Sequence, residues 1–155
     1  MAAGGQESPV RLAAETWESL FRAQVAVMRK LQSGRAFRKL AVNEYDVLFT
    51  LSRCPSGWLR LNELNDNVLL SQSSLSRLVE RLEKRGLVAR MPAPEDGRGV
   101  LLKLTDEGRE LQKEIGREHV RDISALVGPA LTAAEQKELM RLTDKLRGSL
   151  GPLPG

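Results

Sequence analysis

Four hydroxyls crowd into the middle of the chain: Ser71, Ser73, Ser74 and Ser76, followed closely by Arg77 and Arg81. Such a set could do one of two kinds of chemistry. Serine can act as a nucleophile, but only when a base activates it. The sole histidine, His119, lies more than forty residues beyond Ser76, and no Gly-x-Ser-x-Gly elbow is present. One cysteine and one histidine make no metal-ligand cluster, and neither a phosphate-cradling glycine loop nor a dinucleotide fingerprint occurs. The reading is therefore not an enzyme, and no cofactor is implied. The second kind of chemistry is hydrogen bonding to nucleic acid. Serine hydroxyls can meet base edges, and arginine can read guanine or grip phosphate.

The residues around these groups say what must position them. Leu75, Leu78, Val79 and Leu82 recur at the i, i+3, i+4, i+7 spacing of a helix with one apolar stripe. At about 100° per residue, Ser73, Ser76, Arg77, Glu80 and Lys84 fall on the opposite side. Ser71 can cap the orphan N–H groups, and Gly86 can take the left-handed turn that stops the helix. A major groove admits a helix of this kind. Ser71, Gln72, Ser73, Ser74, Ser76 and Arg77 are the candidate base-edge or phosphate contacts. Arg81 and Arg90 are balanced between backbone contacts and plain surface charges. Glu80 repels phosphate, so it either accepts from a cytosine amino group or pairs with Arg77 or Lys84. The intrahelical pair is the preferred reading. An ordinary surface helix carries much the same pattern, so the neighbouring sequence must decide.

Leu87–Met91 and Val100–Thr105 are short apolar runs, separated by Pro92-Ala93-Pro94-Glu95-Asp96-Gly97-Arg98-Gly99. Two strands around a loop dense in turn formers read as a β-hairpin with a protruding tip. Arg98 stands between two glycines at that tip. An arginine on a thin loop suits the narrow minor groove of A·T-rich DNA. Asp96 is placed to brace the Arg98 guanidinium. Hairpin after helix completes a winged helix-turn-helix.

With these motifs the chain resembles the multiple-antibiotic-resistance regulator (MarR) family of bacterial transcription factors. The resemblance runs in detail from about Ala41 to Gly108. It is carried by Asn62-Glu63-Leu64, by Ser73-Ser74-Leu75-Ser76-Arg77-Leu78-Val79 and by Leu82-Glu83-Lys84-Arg85-Gly86-Leu87-Val88. Asp96-Gly97-Arg98 and Leu104-Thr105-Asp106-Glu107-Gly108 complete it. It implies an obligate homodimer on a pseudo-palindromic double-stranded DNA operator, usually a repressor, often released by a small phenolic or apolar effector. Relatives often bind such ligands between the dimer helices and the DNA lobe, where Trp17, Phe21, Tyr45 and Trp58 are the weak candidates here. Their plainer role is core. Some relatives sense peroxide through a thiol in the first helix. Cys54 lies instead after the second helix and reads as a small buried residue, while His119 reads as a surface or dimer-contact residue.

The rest of the chain fits one domain, 1–155, that is mainly α with a small β-hairpin wing. The winged helix-turn-helix lobe covers 41–105, and dimerisation helices cover 8–34 and 106–148. Ser8 and Pro9 open a first helix whose stripe includes Val10, Ala14, Trp17, Phe21, Met28 and Leu31, ending at Gly34. A second helix runs from about Val42 to Arg53, with either Ala41 or Asn43 near its cap. Trp58-Leu59 is a candidate third strand. The helix from Leu61 to Asp66 is expected to fray, because Arg60 stands where relatives usually carry a capping hydroxyl. Thr105 caps a helix to Val127, and Thr132-Ala133-Ala134-Glu135 is a capping box for a last helix ending near Gly148.

Composition narrows the partners. Of 155 residues 41% are apolar, enough for a core. No run approaches the roughly 20 apolar residues of a membrane span, and the start lacks the pattern of a secretory signal. A single cysteine suits reducing cytosol. The net charge is +4. Ser71–Lys103 has seven cations and four carboxylates, hence +3, while Asp106–Gly155 has eight and nine, hence −1. Met1–Ser56 is also +3, so basic charge is not confined to the reading lobe. A winged helix used as a protein-interaction module, without sequence-specific DNA binding, is the competing reading.

Overall fold

A computed structural model of the chain describes residues 8–65, 68, 70–94 and 99–151. Helix α1 spans Pro9–Gln32, with proline in the first turn, where its missing N–H breaks no hydrogen bond. Ser8 stands at the N-cap, but its hydroxyl makes no capping bond; its carbonyl accepts from the Leu12 N–H at 3.0 Å. Helix α2 spans Val42–Ser52. Its start draws on two side chains: Glu44 accepts from the Ala41 N–H at 3.1 Å, and Asn43 accepts from the Glu44 N–H at 2.9 Å.

Strand β1 is Leu59–Arg60, one residue later than Trp58-Leu59, and it leads directly into α3, Leu61–Asn65. In place of a capping hydroxyl, Asn62 Oδ1 accepts from the Glu63 N–H at 3.0 Å, and the Glu63 carboxylate accepts from the Arg60 N–H at 3.1 Å. The expected end at Asp66 lies outside the described residues. Then come α4 (Gln72–Lys84), β2 (Val88–Pro92), β3 (Val100–Leu104), α5 (Asp106–Val127) and α6 (Ala133–Ser149). Thr105 and Thr132 cap the last two helices by accepting from the Gly108 and Glu135 N–H groups. The three strands form one antiparallel sheet in the order β1-β3-β2, with Leu59 opposite Leu102 and Val88 opposite Leu104.

The core belongs to the middle of the chain. Val47, Leu48, Leu51, Leu64, Leu75, Leu78, Val79, Leu82 and Leu102 are almost wholly buried. Each such side chain contributes on the order of 2 kcal/mol by leaving water. They come from α2, α3, α4 and β3, so α4 is clamped from behind along its whole apolar stripe. The terminal helices are different. α6 has no buried residue at all, and Leu139, Met140, Leu142 and Leu146 of α6 are exposed, as are Val10, Leu12, Trp17 and Phe21 of α1.

His119 departs from its expected surface role. It is half-buried, with its ring edge-on to Phe37 at 4.9 Å and to Tyr45 at 5.5 Å between centroids. Cys54 is half-buried, and its Sγ donates to the Trp58 carbonyl at 3.2 Å. Among the described residues no helix is long and apolar enough to cross a membrane.

Candidate nucleic-acid interface

Both ends of α4 are fixed by the local sequence. Ser71 Oγ accepts from the Ser74 N–H at 3.2 Å and lies 2.8 Å from Ser74 Oγ. At the other end Gly86 takes φ +73°. There the Gly86 N–H donates to Glu83 O at 2.9 Å and the Leu87 N–H to Leu82 O at 3.0 Å. This pair of bonds, with Leu82 and Leu87 both buried beneath it, is the Schellman arrangement that only a residue free of Cβ strain makes easily. The helix is thus a rod of fixed length with its leucine side locked into the core.

Its opposite side is open. Ser71, Gln72, Ser73, Ser74, Arg77, Glu80, Arg81 and Lys84 are exposed, and Ser76 is half-buried. The structure therefore brings Ser71, Gln72, Ser73, Ser74, Ser76, Arg77 and Arg81 onto one element. The hydroxyls of Ser71 and Ser74 are engaged in the cap, whereas the Ser76 hydroxyl forms no hydrogen bond among the described residues. The expected pairing of Glu80 with Arg77 or Lys84 is not formed. The Glu80 carboxylate has no ion pair or hydrogen bond among the described residues. An exposed pair of this kind gains only a few tenths of a kcal/mol, too little to hold two long side chains together.

Arg90, on β2, is exposed and lies 3.2 Å from the Glu83 carboxylate on α4. This pair links the wing to the helix. The hairpin that carries it is registered from Val88–Leu104 to Pro92–Val100 and closed by the Ala93 N–H donating to Gly99 O at 2.8 Å. Asp96 and Arg98, the tip residues singled out in the sequence, lie outside the described residues.

The aromatic candidates do not converge. Trp17 and Phe21 stack on one another along α1 at 5.9 Å, exposed to solvent. Trp58 is half-buried just before β1, with Lys103 Nζ 5.1 Å from its ring centre. Only Tyr45 reaches a cleft between α2 and α5, of about 530 Å³, with Phe49, Val120, Lys113, Arg117 and Arg121 among its walls. Phe49 was missed in the sequence, although its position four residues after Tyr45 is the helical pairing signal; the rings stack at 6.1 Å. His119 lies behind this wall. Burial lowers its pKa, and Asp46 and Asp122 oppose that effect. Its Nδ1 is buried without a hydrogen-bond partner among the described residues. Nothing local in the sequence marks it, because its neighbours come from the loop after α1 and from α2.

The same architecture recurs in known proteins. A family model described as the MarR family matches residues 39–99. The transcriptional regulator PecS of Dickeya dadantii is 30% identical over 112 residues, covering 72% of this chain and 68% of PecS. The chain belongs to the MarR family. Two solved transcriptional regulators from Streptomyces coelicolor share the fold. Sco3205, in complex with DNA, superposes with a TM-score of 0.77 at 31% identity, covering 90% of this chain and 91% of that one. PcaV, in complex with its natural ligand, gives 0.67 at 27% identity, covering 97% and 99%. This MarR-family chain is a DNA-binding transcriptional regulator with a winged-helix fold, and its relatives are regulators, not enzymes.

Proposed function

We propose that the protein represses transcription as a homodimer on an inverted-repeat operator, with α4 in the major groove and the hairpin tip in the adjoining minor groove. One observation carries this reading: the open Ser/Arg side of α4, held rigidly by a buried leucine stripe on its far side. Residues 41–105 act as the reading lobe. The helices in 8–34 and 106–148 pair with those of a second copy, which covers the exposed apolar side chains of α1 and α6. A two-fold axis then sets the two α4 helices about 34 Å apart, one turn of DNA. Ser73, Ser76 and Arg77 meet base edges or phosphates, and Arg98, braced by Asp96, enters the minor groove.

The cleft between α2 and α5 favours a small effector. Tyr45 and Phe49 offer aromatic surface there, and Lys113, Arg117 and Arg121 offer positive charge. It joins a helix of the reading lobe to one of the dimer helices, so an occupant can alter the spacing of the two α4 helices.

Selection of bound sites from random duplex DNA at defined salt tests the function. Recovery of one inverted repeat is expected, with affinity that falls steeply as salt rises. Binding that ignores sequence would favour the protein-interaction reading. In gel-shift titration Arg98→Ala is expected to weaken operator binding by about 1–3 kcal/mol and to leave dimerisation intact.

A further inference from the structure

We infer that Glu80 reads a base directly: its carboxylate accepts a hydrogen bond from the exocyclic amino group of a cytosine in the major groove. The inference rests on α4 being the helix that enters that groove.

The first ground is where Glu80 sits on the helix. With about 100° between successive residues, the buried Leu75, Leu78, Val79 and Leu82 define the rear of α4. The direction opposite that rear falls between Ser73 and Lys84, each about 10° from it, with Glu80 about 30° away on the Ser73 side. Arg77 and Arg81 are turned about 30° and 70° toward the Lys84 side, and Ser76 about 70° toward the other. The flanks of a helix in a groove face the phosphate walls, and its centre line faces the base edges. Arg81 and Ser76 therefore point to the walls, while Glu80, flanked by Ser73 and Arg77, faces the floor.

The second ground is that this carboxylate is unspent. Glu83, on the same helix, pairs with Arg90 of β2 at 3.2 Å, and Glu44 of α2 faces Arg85 at 3.9 Å. Glu80 has no such partner among the described residues and is exposed.

The third ground is chemical complementarity. An ionised carboxylate only accepts hydrogen bonds. In the major groove guanine shows two acceptors and thymine an acceptor and a methyl group, so both repel it or leave it bare. Adenine shows its amino group next to the N7 acceptor. Cytosine shows an amino donor with no acceptor on its own edge, so it fits best. An anion on the centre line gains at one base and loses at the others, which is discrimination without added affinity.

The test compares the intact protein with its Glu80→Ala variant, both carried through site selection from random duplex DNA at one salt concentration. Position 80 is exposed and alanine favours helix, so the variant folds; circular dichroism checks this. Wild-type protein is expected to demand one cytosine in each half-site. The variant is expected to lose that demand and keep every other preference. On the selected operator, exchanging that base pair in both half-sites should weaken wild-type binding at least tenfold and variant binding less than twofold. Retention of the same cytosine by the variant overturns the inference. So does a common rise in the variant's affinity for every sequence with an unchanged site, which would make Glu80 a solvated charge. Failure of the wild-type protein to select any site overturns the parent reading as well, and differs visibly from both.

Discussion

Gly108, in the first turn of α5, packs so closely on Leu87 that a Cβ at that position would overlap the Leu87 carbonyl oxygen. The same corner holds two hydrogen bonds, from Thr105 Oγ1 to Gly86 O at 2.6 Å and from the Thr105 N–H to Leu87 O at 3.2 Å. The exit from α4, the last wing strand and the start of α5 therefore meet at one point, and only a glycine fits there. Backbone on one side and a capped helix on the other leave no flexible side chain to yield. Gly108→Ala is expected to destabilise the fold by about 1–3 kcal/mol, the usual cost of overpacking. A lower urea midpoint at unchanged slope is the result that checks it.

How much of this was legible in the sequence depends on the range of the interaction. The ends of α4 were readable because Ser71 and Gly86 act on backbone groups only a few residues away. The leucine stripe was readable because helical periodicity is itself local. The pairings that cross between elements were not. Glu83 with Arg90 needs the wing to turn back over the helix, and His119 between Phe37 and Tyr45 needs three separate segments to meet. The expected Glu80 pair failed in the opposite way: the spacing permitted it, but exposed ion pairs are too weak to be dictated by spacing. Trp17, Phe21, Tyr45 and Trp58 were grouped by residue type, and the fold distributes them over three places.

His119 makes the fold sensitive to acid. Burial holds its folded-state pKa below the ordinary histidine value, despite the attraction of Asp46 and Asp122. The unfolded chain then binds the proton more readily, so stability rises with pH through this window and falls as pH drops below the ordinary value of about 6.5. The urea midpoint should therefore fall between pH 7.5 and pH 5.5. Asp46 shifts the other way: burial raises its pKa, which favours the folded state as pH falls and so works against the His119 effect. His119→Phe keeps an aromatic ring against Phe37 and Tyr45 and should flatten that fall. An equal fall in both proteins would mean that the imidazole is not responsible.

Trp17 and Leu146 line one apolar groove together with Leu12 and Leu20, although they come from opposite ends of the chain. Trp17 is 61% exposed and Leu146 is 45% exposed, far more than a core would leave. In the proposed dimer a second copy covers this groove, in keeping with the absence of any fully buried residue in α6. Trp17→Asp with Leu146→Asp is expected to give a folded monomer by sedimentation, because the core lies elsewhere. Operator affinity should drop by roughly 100-fold or more, the usual loss when two linked half-sites are bound singly. A dimer that persists in the double variant would place the interface on another surface.

Glu83 and Arg90 offer the sharpest separation of stability from DNA binding. Their side chains are each 37% exposed, so the pair contributes only about 0–1 kcal/mol to folding. Its electrostatic effect on a duplex is larger, because Glu83 cancels a cation on the strand that leads to the wing tip. A phosphate arriving at the wing must compete with this carboxylate for Arg90. Glu83→Gln removes the competitor and leaves the guanidinium in place. The urea midpoint should barely move. Affinity for duplex DNA of any sequence should rise, and the plot of log affinity against log salt should steepen by about 1, the increment of one phosphate contact. Arg90→Ala should cancel the effect of Glu83→Gln when the two are combined. Unchanged affinity at low salt in Glu83→Gln would show that Arg90 never meets the backbone and that the pair only sets the angle of the wing.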